Sequence, residues 1–548
     1  MSAPWLDDAL GRIAASPEGV WISRPGDDDI SRAVAAAPDG PLHGLLVGVK
    51  DNIDVAGMPT TAGCPAYAYT PGADAPAVAR LRAAGAVVAG KTNMDQFATG
   101  LVGTRSPYGI PESVVAPGII AGGSSSGSAV AVAAGLVDIA LGTDTAGSGR
   151  VPAAMNAIAG FKPTRALVPT AGVVPACRSL DCVSVFARTC DLAWRALGAM
   201  AGGARPALRD AVADARAQAA PRVGVPATAL EWFGDAEAEA LFTAALGRLE
   251  TVGATLVPVD MAPFLEAATL LYGGPWVAER LAAVGEFIAA HPDEVHPVVR
   301  DVILAAADRT AVDAYTGRYR LDALIEAAAP VWEAVDMLAL PTAAIAPTID
   351  ETLADPHGVQ AKLGRYTNFV NLMDLCAVSL PAGARTGGAP FGIQLVAPAF
   401  GDALLAAVGT RFETTAPQAT VRVAVVGAHL AGQPLNHQLV RRGGKLIAAT
   451  HTAPGYRLFH LTGTVPPKPG LVRAADGGAA IEVEVWELGV AEFGAFTAEV
   501  PPPLGIGNVT LADGSSVKGF MCEPGALDGS DEITRFGGWR AYLASRSG

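Results

Sequence analysis

Apolar positions in this chain recur with two periods. Short apolar runs such as Leu45 to Val49 and Ala86 to Ala89 read as strands, Ala75 to Ala84 between them reads as a helix, and Gly and Pro residues punctuate the joins. Repeated alternation of this kind predicts an α/β unit. Leu208 to Val335 is richer in helical pattern, with Asp235 to Leu249 its clearest amphipathic example. Arg411 to Gln418 reads as a short polar linker, after which the chain restarts with the apolar run Val421 to Val426. Beyond it YRLFHL (Tyr456 to Leu461), IEVEVWEL (Ile481 to Leu488) and SVKGFMCE (Ser516 to Glu523) alternate like half-buried strands. Two domains are therefore expected, residues 1–415 and a smaller strand-rich α+β domain over 420–548.

Composition narrows the class. A chain of 548 residues exceeds one ordinary core, and 51% hydrophobic content fits a well-buried globular protein. A net charge of −14 without a basic cluster argues against nucleic acid as a partner. Ala129 to Leu141 is broken by Asp138 and too short to span a bilayer, and no basic region followed by an apolar stretch opens the chain; a cytoplasmic, non-membrane protein is expected. The six cysteines form no CxxC pair, so they are expected to be reduced, packed apolar residues, with no metal bound.

Three segments carry chemistry: GVKDNID around Lys50, AGGSSSGSA around Ser124 and GTDTAGSGR around Ser148. A serine hydroxyl becomes a nucleophile when a neighbouring base removes its proton, and a lysine can be that base only if its pKa is lowered toward neutrality. The Gly122 to Ser128 run should turn into a helix from Ala129 to Leu136, and the small residues before Ser148 leave backbone N–H groups free to converge on a developing oxyanion. Alone, a Gly/Ser-rich run is ordinarily a flexible linker or a phosphate cradle. Here the P-loop order is missing, no GxGxxG with a following acidic residue occurs, and no histidine lies between Lys50 and His291 to complete a nearby Ser-His-Asp set.

Together the three segments resemble the amidase signature family, in which a Ser-cisSer-Lys triad cleaves amide bonds. KTNMDQFATG (Lys91 to Gly100), SPYG (Ser106 to Gly109) and GFKPTR (Gly160 to Arg165) extend the resemblance over roughly the first 410 residues. It implies that Ser148 is the nucleophile, that Ser124 is the bridging serine on a cis peptide, and that Lys50 starts neutral as the base. Backbone N–H groups of Thr145, Ala146, Gly147 and Ser148 would form the oxyanion hole. The implied fold is a large mixed β-sheet flanked by helices on both faces, with residues 208–335 as a helical substrate-side region, and no cofactor is implied.

Substrate choice rests on other residues. Leu271 to Arg280, LYGGPWVAER, resembles the segment with which allophanate hydrolases hold the substrate carboxylate; Tyr272 and Arg280 carry that match. A guanidinium meets a carboxylate with two parallel hydrogen bonds, and a small anion entering an acidic protein needs such a local cation. Without the match, the two residues would read as sharing one amphipathic helix. The tail resembles the allophanate hydrolase C-terminal domain, itself similar in fold to gamma-glutamylcyclotransferase-like proteins. That resemblance implies release of ammonia from allophanate by the first domain and decarboxylation of the N-carboxycarbamate product by the second. Of the tail histidines, His429 is the candidate proton donor, because it follows a strand in a Gly-containing turn. Urea carboxylase is an expected functional partner, and a homodimer is expected. Other readings compete: the glutamine-hydrolysing component of a tRNA-dependent amidotransferase, against which Gln96 and the extra domain speak, another small-amide amidase, and a noncatalytic scaffold, against which the intact Lys50, Ser124 and Ser148 speak.

Overall fold

A computed structural model describes residues 4–202, 220–228, 230–415, 420–474 and 476–546. Contacts divide the chain into two compact units, Met1–Ala416 and Pro417–Gly548.

The first unit is built on one eleven-stranded sheet. Its strands are β1 (Trp21–Ser23), β2 (Leu46–Lys50), β3 (Val87–Thr92), β4 (Ile139–Asp144), β5 (Ala159–Lys162), β6 (Cys182–Ala187), β7 (Arg222–Pro226), β8 (Thr255–Val259), β9 (Met337–Pro341), β10 (Cys376–Ala384) and β11 (Pro390–Ala397). They run in the order β1-β3-β2-β4-β6-β5-β10-β11-β9-β7-β8. Pairing is mixed: β3, β2 and β4 are parallel, β4, β6, β5, β10, β11 and β9 antiparallel, and β9, β7 and β8 parallel again.

Both faces of this sheet are covered, so its strands read as continuous apolar runs while the two-residue period still sorts side chains to opposite cores. Val47, Val49, Ile139, Leu141, Met337, Ala339, Cys376 and Val378 share one core with the helices Pro76–Ala83, Cys190–Met200, Ala236–Thr251 and Asp402–Thr414. Their neighbours in sequence point the other way. Leu46 and Ala140 pack with the helix Ser126–Ala133, and Leu338, Leu340 and Ala377 with the helices Ala262–Gly273, Ala311–Ala334 and Asn368–Leu372.

Two sequence expectations change here. The 208–335 stretch is not uniformly helical: 208–219 lies outside the described residues, and β7 and β8, on either side of the helix Ala236–Thr251, extend the far edge of the main sheet, so the strand-free part of the stretch begins at Ala262. Valines alternating along RVGVP and TLVPV favour strands where the surrounding helical pattern dominated. The expected linker is likewise shorter, because the helix Asp402–Thr414 runs on through Arg411 with Phe412 buried beneath it, and residues 416–418 lie outside the described residues.

The second unit holds a five-stranded sheet in the order β13-β16-β12-β18-β17 and a three-stranded sheet β15-β14-β19. These strands are β12 (Thr420–Val425), β13 (Lys445–His451), β14 (Tyr456–Leu461), β15 (Lys468–Arg473), β16 (Glu482–Gly489), β17 (Leu504–Thr510), β18 (Ser516–Cys522) and β19 (Asp531–Glu532). Val423, Val425, Val483, Val485, Phe520 and Trp539 form its separate core.

Candidate active site

Lys50 ends β2 and Thr143 stands one residue before the end of the parallel neighbour β4, so the pair sits at the carboxyl ends of adjacent parallel strands, where α/β sheets open onto their sites. Ser124 lies just ahead of the helix Ser126–Ala133, and the Gly123–Ser124 peptide is cis. Lys50 Nζ donates to Ser124 Oγ at 2.7 Å and to Thr143 Oγ1 at 2.8 Å. Lys50 and Ser124 are fully buried. Burial drives the Lys50 pKa from its ordinary 10.5 down to about 7, against the raising effect of Asp95, Asp144 and Asp181, with Arg280 adding to the decrease. An ammonium in a dry site loses more hydration than these carboxylates return, so the neutral amine is populated near pH 7.

Ser148 sits in the turn that follows β4. Asp144 organises that turn: its carboxylate takes two hydrogen bonds from the Arg150 guanidinium, each at 3.0 Å, and two more from the N–H groups of Gly147 at 2.9 Å and Gly149 at 3.0 Å. This corrects the expected oxyanion donors, because the Gly147 N–H is already spent on Asp144. Thr145, Ala146 and Ser148 make no backbone N–H hydrogen bond among the described residues and remain available. Gly147 itself has φ +139°, and a Cβ there would lie 2.5 Å from Thr367 Oγ1, so the turn requires glycine. The Ser148 hydroxyl donates to the Gly100 carbonyl at 3.4 Å; among the described residues no hydrogen bond joins it to Ser124.

Tyr272 and Arg280 do not share a helix. Tyr272 is in the last turn of Ala262–Gly273, Gly274 and Pro275 break the chain, and Arg280 belongs to the next helix, Val277–Ala290. The break brings the two side chains together, with the guanidinium 5.5 Å from the centre of the tyrosine ring. Arg280 is buried; its Nη1 donates to Thr99 Oγ1 at 2.9 Å and the Ala98 carbonyl at 3.3 Å, while Nη2 has no partner among the described residues. Thr99 and Tyr272 line a cavity of about 320 Å³ together with Arg105, Gln360 and Asn368.

In the second unit His429 follows β12. Its ring stacks on Phe520 at 4.9 Å, meets the edge of Phe496 at 5.2 Å, and Nε2 donates to Gln438 Oε1 at 2.9 Å. Burial lowers its pKa below the ordinary 6.5; Gln438 opposes this, and the charge on Lys468 reinforces it. Gly427, His429, Lys468 and Pro469 line one small cavity, and a Cβ on Gly427 would lie 2.2 Å from the Pro469 ring. Among the described residues the Lys468 ammonium has no hydrogen-bond or ion-pair partner. Glu484 accepts from the Ala431 N–H at 2.8 Å and from Arg540 at 2.6 Å, which pins the turn that carries His429.

Residues 26–406 match the family model described as Amidase. The chain belongs to the amidase family. Beyond the amidase unit, residues 421–544 match the allophanate hydrolase C-terminal domain. The chain is 40% identical over 545 residues to the urea amidolyase of Saccharomyces cerevisiae, covering 92% of this chain and 30% of that one, so it spans under a third of that relative's length. It is also similar to the solved allophanate hydrolase of Kluyveromyces lactis, at 38% identity and a TM-score of 0.72 over 99% of this chain and 97% of that one. A glutamyl-tRNA(Gln) amidotransferase component from Natronomonas pharaonis is 37% identical over 413 residues, covering 68% of this chain and 96% of that one. Gln96, the amidase-unit residue that speaks against the amidotransferase reading, is tied down structurally: its Oε1 accepts from the His296 N–H at 2.6 Å and its Nε2 donates to the Glu294 carbonyl at 3.3 Å.

Sequence reasoning passes over Thr143, the Gly100 carbonyl and Lys468. Thr143 lies inside the GTDTAGSGR segment, so its proximity to Ser148 is readable, but the contact with Lys50, 93 residues away in sequence, is not. Lys468 gives no signal, because only the pairing of two sheets' residues around one cavity brings it to His429.

Proposed function

We propose that this chain hydrolyses allophanate (urea-1-carboxylate) to ammonia and carbon dioxide, with residues 1–415 performing deamination and residues 420–548 promoting decarboxylation. The observation that carries the reading is the buried Lys50, titrating at about 7 and hydrogen-bonded to Ser124 at 2.7 Å. With its proton off, the amine keeps one N–H on Thr143 and turns its lone pair to the Ser124 hydroxyl. Ser148 rotates from the Gly100 carbonyl toward Ser124 and passes its proton along this bridge as its oxygen attacks the terminal amide carbonyl. The N–H groups of Thr145, Ala146 and Ser148 take the oxyanion. The proton returns through Ser124 to the leaving nitrogen, ammonia departs, and a carbonyl ester remains on Ser148. Water, deprotonated by the same relay, cleaves the ester and releases N-carboxycarbamate. Arg280, whose Nη2 has no partner among the described residues, and Tyr272 hold the substrate carboxylate during both steps.

His429 and Lys468 then act on the dianionic product. Lys468 receives a carboxylate, and His429 supplies a proton to nitrogen as the C–N bond to the departing carbon dioxide breaks; the carbamate left behind falls apart to ammonia and a second carbon dioxide. Urea carboxylase is the proposed functional partner, since carboxylation of urea makes the substrate.

Purified protein given allophanate, biuret and glutamine in turn, with ammonia and carbon dioxide followed separately, tests the reading. Allophanate should be consumed with both gases released, and Ser148→Ala should lower ammonia release by about 10³-fold or more with unchanged melting temperature. Turnover of glutamine in place of allophanate would reject the substrate; substantial activity in the alanine variant would remove Ser148 as nucleophile.

A further inference from the structure

Gln360 lies on the helix Pro356–Gly364 and lines the 320 Å³ cavity beside Tyr272 and Thr99. Its side-chain oxygen accepts from the Leu101 N–H at 2.8 Å, and its Nε2 donates to the Tyr272 hydroxyl at 3.4 Å. The first bond fixes the second. A backbone N–H can only donate, so Oε1 faces Leu101 and the NH₂ group must face Tyr272. The tyrosine oxygen then accepts from Gln360 and has its own proton left to give. Among the described residues that hydroxyl makes no other hydrogen bond, and Tyr272 faces the cavity.

Leu101 closes a three-residue strap with a separate task at each position. Thr99 Oγ1 accepts from Arg280 at 2.9 Å, the Gly100 carbonyl accepts from Ser148 at 3.4 Å, and Leu101 donates to Gln360. Asp95 anchors the chain just beyond, accepting from the N–H groups of Gly103 at 3.1 Å and Arg105 at 2.9 Å. The carboxylate-facing cation, the resting position of the nucleophile and the amide that polarises Tyr272 therefore hang on consecutive residues.

We infer that Gln360 is a specificity-determining positioning residue: it holds the Tyr272 hydroxyl as a proton donor toward an anionic group in the cavity, so that the site selects substrates bearing a carboxylate next to the scissile amide. This rests on the carboxylate subsite proposed above. A glutamate at 360 separates its two tasks. It still accepts from Leu101, so the strap stays anchored, but toward Tyr272 it can only accept, which draws the phenolic proton away from the substrate and adds a negative charge beside the subsite. A methionine removes both bonds at similar volume.

The test uses the full chain and begins with unaltered enzyme. Failure to hydrolyse allophanate at that stage refutes the proposed substrate, independently of Gln360. With turnover established, Gln360→Glu should raise KM for allophanate about tenfold or more, since hydrogen bonds to charged groups are the strong ones, with a smaller change in kcat. Its rate of labelling by an uncharged fluorophosphonate, which reports on Ser148 and its relay without a carboxylate, should stay within about twofold of the parent. Combined with Tyr272→Phe, Gln360→Glu should add little to the KM rise, because the proton it diverts is already gone. Gln360→Met should show the KM rise and slower labelling as well, through loss of the Leu101 anchor. An unchanged KM in Gln360→Glu, labelling that falls in parallel with allophanate turnover in that variant, or effects of Gln360→Glu and Tyr272→Phe that multiply would each overturn the inference.

Discussion

Lys50 sits among three carboxylates and still gives up its proton near pH 7, because a fully buried ammonium cannot recover its hydration from partners that are themselves buried. The sign of the pH dependence follows. In the proposed mechanism the working form is the neutral amine, so kcat/KM for allophanate should rise with pH through an acid limb centred at about 7 and level off above it. A pH-rate profile on the free enzyme reads this directly, and an acid limb below pH 5 would place the base elsewhere. Lys50→Arg sharpens the test: a guanidinium stays protonated throughout, so activity should be absent at every pH and not merely shifted. At the same scale, Nη2 of Arg280 is a buried cationic donor without an acceptor among the described residues, an arrangement that is costly unless a ligand supplies one.

The turn after β4 depends on one ion pair that reaches three elements. Arg150 binds Asp144 at the end of β4 and also donates to the Thr367 carbonyl, to Asn371 in the helix Asn368–Leu372 and to Gln394 in β11. Burial alone would raise the Asp144 carboxyl; the Arg150 guanidinium, together with Lys162 and the Gly149 N–H, outweighs it and holds the group below its ordinary 3.8. A depressed carboxyl stabilises the fold above its unfolded pKa, and that contribution is lost as pH falls through the folded value. Arg150→Met leaves an uncompensated buried carboxylate and should cost about 3–5 kcal/mol in urea unfolding. The loss should shrink in acid, where Asp144 of the variant takes up a proton. Activity should fall further than stability alone explains, because the Gly147 and Gly149 N–H groups that shape the Ser148 turn hang on the same carboxylate. An Arg150→Met protein with native stability would refute this role for the pair.

At the scale of the whole chain, two compact units hold two different cationic settings: in one a buried lysine hydrogen-bonded to a serine, and in the other a half-buried histidine lining a small cavity with an ammonium that has no ion partner among the described residues. The proposed division of labour predicts separable losses. His429→Ala and Lys468→Ala should leave the first ammonia release from allophanate within about twofold of the parent while slowing carbon dioxide release, so that N-carboxycarbamate accumulates and is visible by carbon NMR. Equal slowing of both products would tie these residues to the first step or to general stability. Among the described residues no helix is long and apolar enough to cross a membrane.

Much of this organisation is legible in the chain itself. Strand and helix alternate as the apolar periods say, because each strand face must meet a helix or a second core, and the tail strands at Val421, Tyr456, Ile481 and Ser516 fall within a residue or two of their expected starts. Lys50, Ser124 and Ser148 can be singled out because small residues and hydroxyls in fixed local order leave a mark that needs no tertiary contact. What the sequence cannot express is which group faces which. Helical bias across 208–335 hides β7 and β8, whose pairing with β9 overrides local pattern. Local order offers the Gly147 N–H to an oxyanion, whereas the folded turn gives it to Asp144, and Thr143, Gln360 and Lys468 meet their partners across 93, 88 and 39 residues respectively. Periodicity records the environment of a residue's own face; hydrogen-bond partners, desolvation and therefore the pKa of the working lysine exist only once distant segments are brought together, and that is where the chemistry is decided.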